Sequence, residues 1–169
     1  MFSWLRDKKD AADPTRGRVL YEAVRQHLGD GDDELVRITG SVAALMLCVA
    51  YADLDVRPEE LERVSETLGR IRGLDARGVA AIVDVLCRHT VSIAAAEGTS
   101  YARELLELTD ADFRVQLLDA LMDVAAADGE VSLAETNLLR PIAVALGLTQ
   151  QQYNASQARH RDKLAVLRS

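Results

Sequence analysis

Asp53, Asp55 and Glu60 stand within one eight-residue stretch, and Asp128, Glu130 and Glu135 repeat that spacing 75 positions later. Carboxylates grouped this way can do two things. They can supply hard oxygens to a divalent cation, suiting calcium, magnesium or manganese better than zinc or copper, which favour nitrogen and sulfur. They can also serve the backbone, with Glu135 reaching back to the Ser132 amide in a capping box and Glu60 at the positive end of its own helix. The run from Asp128 to Glu135 has the spacing of the later part of an EF-hand loop, from its fifth position to its twelfth. The first and third positions of such a loop also need oxygen ligands. Here they fall on Val124 and Ala126, or on Val49 and Tyr51 in the earlier copy, and none of these can offer a carboxylate. Neither loop is an EF-hand, so an ion would have to draw on both loops together. On spacing alone capping is the commoner use, and both readings stand at this point.

Other chemistries find no residues to carry them. No nucleophile elbow, phosphate-binding glycine loop or nucleophile–base arrangement occurs, so the sequence reads as non-enzymatic. His27, His89 and His160 are too scattered, with Cys48 and Cys87, for a conventional zinc site. The chain carries 20 Lys and Arg against 27 Asp and Glu, a net charge of −7, which argues against a nucleic-acid binder. Both cysteines lie in apolar segments, which points to a reducing compartment rather than a disulfide framework. No apolar run is long enough to span a bilayer. Phe2, Trp4 and Leu5 precede Arg6, Lys8 and Lys9, the reverse of a signal peptide's order, so the expectation is a cytoplasmic protein. That segment could dock on an anionic membrane or in a partner's groove, although packing on its own domain is the commoner fate.

The elements that must position the acids read as helices throughout. Hydrophobic residues make up 49% of the chain and aromatic ones only 4%, which suits an alanine- and leucine-rich helical protein better than a sandwich or barrel. Asp13 and Pro14 open a first helix that Gly29 closes. The acidic residues 30–34 open a second, with Ile38, Val42, Leu45, Met46 and Val49 at helical spacing. Pro58 starts a third, running to Gly73, and Asp75 caps a long helix to about Ala96. A short helix from Ser100 to Leu108 connects to one begun by a Thr109–Asp112 capping box. Ser132 with Glu135 and Thr149 with Gln152 begin the last two, the final one reaching toward Leu167. Pro141 cannot donate to the Asn137 carbonyl, which predicts a kink or an early end to its helix. Asp84 and Arg88 should pair on one helix face.

A 75-residue shift lays residues 49–60 on residues 124–135. Six of these twelve positions are identical: Val49, Ala50, Ala52, Asp53, Val56 and Glu60 fall on Val124, Ala125, Ala127, Asp128, Val131 and Glu135. The register extends outward, with Val42 on Leu117, Met46 on Leu121 and Val64 on Leu139. The pattern predicts an all-α single domain of two pseudo-symmetric three-helix repeats, about 33–97 and 109–168, preceded by an extension and first helix over 1–32. Each unit alone is too small to hide its apolar faces, so the two should pack on one another about a pseudo-twofold axis.

At Ala126-Ala127-Asp128-Gly129-Glu130-Val131-Ser132, then Glu135 and Leu146-Gly147-Leu148-Thr149, the sequence resembles the tellurite-resistance TerB family. These are bacterial all-helical proteins related to the N-terminal module of the DjlA co-chaperone. The likeness covers roughly residues 33–153, with Ala52-Asp53-Leu54-Asp55-Val56 and Glu60 as the matching first loop. The resemblance implies a non-enzymatic stress-response protein that binds divalent metal through the acids at 53, 55, 60, 128, 130 and 135 and acts on a protein partner, in some members near the membrane. It implies no reaction and no other cofactor. The alternative is a helical adaptor or co-chaperone-like module, free of metal, whose acids are helix caps. One departure stands out: Leu54 replaces the family's usual glycine, which predicts an altered first turn.

Overall fold

Twelve consecutive residues, Thr39 to Ala50, are buried on every side of a single helix. A helix buried all round, with only Thr39 and Ser41 polar in this stretch, cannot lie on a surface, and this one is the axis of the fold. The computed structural model describes residues 14–28, 32–95 and 97–165. Among these the helices are α1 (Pro14–His27), α2 (Asp33–Ala50), α3 (Pro58–Leu68), α4 (Ala76–Arg88), α5 (Thr90–Ala95), α6 (Gly98–Leu108), α7 (Ala111–Ala125), α8 (Leu133–Ala145) and α9 (Gln150–Ala158). A 3-10 turn follows at Arg161–Lys163. No β-strand occurs among the described residues, and no described helix is long and apolar enough to cross a membrane.

The axial helix α2 packs against α1 and every helix from α3 to α8. Leu20, Val24 and Leu28 place α1 and the residue just beyond it in the same hydrophobic cluster as the rest of the chain. α1 approaches closely at Gly40, where any Cβ would come within 2.7 Å of the Tyr21 ring. Its hydroxyl donates to Glu104 Oε2 at 3.0 Å, Ser41 donates to the same oxygen at 2.7 Å, and Arg37 Nε reaches Oε1 at 2.7 Å. This polar knot ties α1, α2 and α6 together. Burial, above all, raises the Tyr21 hydroxyl well beyond the ordinary phenol range, so it stays a donor.

Helix boundaries recur at the 75-residue offset around the two acidic loops: α2 ends at Ala50 and α7 at Ala125, α3 begins at Pro58 and α8 at Leu133. Packing across the two halves is reciprocal as well, since α3 lies on α7 while α8 lies on α2. The third helices differ: α4 packs on α1, whereas α9 packs on α7.

Several local expectations change. The helix expected from Asp75 to Ala96 is two helices, because the Thr90 hydroxyl takes the Leu86 and Cys87 carbonyls and His89 turns the chain. α7 is capped by Asp110, whose Oδ1 accepts from Phe113 N at 2.8 Å, while Thr109 ends α6. The third helix stops at Leu68, short of Gly73, and the connecting helix starts two residues early, at Gly98. The last helix ends at Ala158 instead of running toward Leu167, because Leu164 turns back and is buried beside Val131 in an isolated parallel bridge. Asp13, Gly29, the segment with Phe2, Trp4, Leu5, Arg6, Lys8 and Lys9, and Leu167 lie outside the described residues. The Asp84–Arg88 pair forms at 2.9 Å.

Pro141 does not shorten its helix. α8 continues to Ala145 with the proline on its exposed side. The Asn137 carbonyl therefore lacks its helical donor within a continuing helix, and Pro141→Ala would restore it. That variant is expected to gain about 1–3 kcal/mol, seen as roughly 2–4 °C in Tm per kcal/mol by calorimetry. An unchanged or lower Tm would show that the proline's rigidity compensates fully.

Candidate functional site at the junction of two acidic loops

Each acidic loop is built bond for bond like the other. After α2, Ala52 N donates to the Val49 carbonyl at 3.1 Å and Leu54 N to the Tyr51 carbonyl at 2.9 Å. After α7, Ala127 N donates to Val124 at 3.1 Å and Gly129 N to Ala126 at 3.0 Å. Asp53 Oδ1 then accepts from Asp55 N at 3.2 Å, as Asp128 Oδ1 does from Glu130 N at 3.0 Å. The short aspartate side chain bonding two residues on holds each turn shut. The turn demands a left-handed residue in its middle, and Gly129 meets it with φ 98°. Leu54 adopts the same region at φ 68° with its side chain in solvent. The expected alteration of the first turn does not occur; the leucine accepts the strain instead.

The two glutamates end these loops and begin the next helices. Glu60 Oε2 accepts from Arg57 N at 2.8 Å and Glu135 Oε2 from Ser132 N at 2.7 Å. Ser132 Oγ completes its capping box by accepting from Glu135 N at 3.1 Å. Arg57 has only donors and cannot do the same, so the α3 box is half formed. Both glutamates are buried, at 0% and 1% exposure. The signal was present in the sequence: Glu60 falls four residues before Val64 and eight before Leu68, and Glu135 four before Leu139, on the faces that enter the core.

Burial brings the remaining oxygens of these glutamates together across the halves. As carboxylates both only accept, and Glu60 Oε1 and Glu135 Oε1 are then buried with no donor. A proton on Glu60 turns that clash into a hydrogen bond to Glu135. Burial pushes the Glu60 carboxyl up to about 8; the bond to Glu135 and its charge add to the rise, while Arg57 opposes it. Glu135 is raised too, first by burial, but the Ser132 bonds and the Glu60 donor hold it back. Both carboxyls are raised because two buried charges at this distance are unfavourable, and one proton held between them relieves the pair.

One cation bridges the loops. The Arg57 guanidinium reaches Asp53 Oδ2 at 2.9 Å, Asp128 Oδ2 at 3.2 Å and, more loosely, Glu60 Oε1 at 3.8 Å. Of the six expected acids, then, Asp53, Glu60, Asp128 and Glu135 gather at one junction, while Asp55 and Glu130 remain exposed at its rim. Among the described residues no three His, Cys, Asp or Glu side chains already stand as a ready-made ion cage. Sequence reasoning missed Arg57. Its signal was a break in the repeat, since the equivalent position holds Ser132.

The fold and the junction define an all-helical module built on paired acidic turns. The family model described as "Tellurite resistance protein TerB" matches residues 39–158, from α2 to the end of α9, and the chain belongs to that family. No curated protein and no solved structure matches it.

Leu54→Gly should relieve the left-handed strain and stabilise the protein by about 1 kcal/mol, measured by urea unfolding; destabilisation would contradict the strained turn. The Glu60 proton has its own signature. A carboxyl raised on folding holds its proton more tightly in the native state, so its contribution is complete below pH 4.5 and wanes as pH rises toward about 8. With chelator present, the urea midpoint of the wild type should fall across that window relative to Glu60→Gln, which stays neutral and keeps a donor. Parallel pH profiles would refute the shared proton.

Proposed function

We propose that this chain is a non-catalytic TerB-family protein of the tellurite and stress response that takes up a hard divalent cation where its two acidic loops meet. The observation that carries the reading is the pair of buried oxygens, Glu60 Oε1 and Glu135 Oε1, delivered to one place by separate halves of the chain and left without a donor whenever both carboxyls are ionised. An all-oxygen donor set suits calcium, magnesium or manganese over zinc. Glu60 and Glu135 would hold the ion, Asp53 and Asp128 would flank it, and Asp55 and Glu130 would draw cations to the rim. A bound ion would supply positive charge between carboxylates that otherwise repel, fastening one loop to the other.

A second reading has its own support. Both glutamates already act as caps, and a cleft of about 570 Å³ opens between α2, the end of α3 and α7, away from the acidic loops, with Leu35, Ile38, Ile71 and Phe113 beside Arg70, Asp119 and Asp123 on its walls. In that reading the chain is a helical adaptor for a protein partner and the acids are purely structural.

Native mass spectrometry with calcium, magnesium, manganese and zinc, one at a time, separates the two. The cation reading expects one specific adduct with a hard ion, lost in Glu60→Gln/Glu135→Gln, where each glutamine keeps a capping acceptor. The adaptor reading expects the same ion response in that double variant as in the wild type.

A further inference from the structure

The two loops agree in every bond of the turn but differ in chemistry at one position that faces the junction. Ser132 caps its helix with a hydroxyl, whereas Arg57, at the equivalent place, gives α3 no side-chain cap. A local rule broken without local gain calls for a compensating role elsewhere. The guanidinium meets both turn aspartates, one from each half of the chain, and approaches the free oxygen of Glu60. It sits among the oxygens that a divalent ion would need.

Resting on the cation-binding reading above, we propose that Arg57 is a tethered competitor cation that fills this site until a divalent ion displaces it, and so sets the site's affinity. The guanidinium keeps its charge at every physiological pH, so it leaves only by exchange. Its side chain is 36% exposed, beside Asp53 at 21% and Asp128 at 19%, so water is at hand to receive it. Contacts this exposed are individually weak, which makes the exchange reversible. The second loop, with a serine at that position, offers its aspartate to the same guanidinium, so one arginine serves both loops.

The test is calorimetric titration of calcium chloride, and separately of manganese chloride, into the chelator-stripped full chain. The proteins compared are wild type, Arg57→Ser and Arg63→Ser. Arg57→Ser recreates the capping box seen at Ser132, so its helix start is supported; Arg63→Ser removes an equal charge from the exposed Glu66 pair on the same helix. The expected result is binding about tenfold tighter in Arg57→Ser, the combined effect of losing two partly exposed ion pairs, and unchanged in Arg63→Ser. Equal affinity in wild type and Arg57→Ser would overturn the competitor role and leave the cation site standing. Equal gains in both variants would reduce the effect to net charge and overturn it too. Binding by Arg57→Ser alone would overturn displacement of the arginine and, with it, cation uptake by the native chain. No binding by any of the three would sink both.

Discussion

Two carboxyl groups, Glu60 and Glu135, meet where neither can be hydrated, and the local architecture follows from how that meeting is made tolerable. Each uses one oxygen to cap the helix it begins and turns the other toward its counterpart. A buried carboxylate with no partner would be strongly destabilising; a proton, a guanidinium or a metal ion each removes that penalty differently. Because the caps fix where α3 and α8 start, the neutralisation of this pair also decides how the two halves sit together.

Much of this could be read from local pattern. The repeated carboxylates, the Ser132–Glu135 box and the Asp84–Arg88 pair obey rules that span about one helical turn, and all of those elements appear where the spacing placed them. Even the burial of Glu60 was latent in its register with Val64 and Leu68. What could not be read were meetings between distant segments: Arg57 with Asp128, Tyr21 and Arg37 with Glu104, Leu164 with Val131. Each joins residues far apart in the chain, and no periodicity records which loop will face which. The division of the long helix at His89 was hidden for another reason, since a threonine hydroxyl competing for carbonyls leaves the apolar pattern intact.

The loops share a backbone but are not equals. The first tolerates a leucine in a left-handed turn and carries the bridging arginine. The second has glycine at its turn, a complete capping box, and the returning tail, where Val131 N donates to the Lys163 carbonyl at 2.8 Å and Ala165 N to Val131 at 3.0 Å. The second loop is therefore tied to the returning tail as well as to its own helix, whereas the first is tied across the junction through Arg57.

The axial helix has a consequence for how the molecule is made. A rod buried on every side from Thr39 to Ala50, and apolar along most of its length, emerges from the ribosome long before α6, α7 and α8 exist to enclose it. Until roughly residue 145 has been synthesised it is an open binding surface for holdase chaperones or for a neighbouring nascent chain. Truncated or separately expressed halves should for that reason be aggregation-prone, and productive folding should await nearly the whole polypeptide.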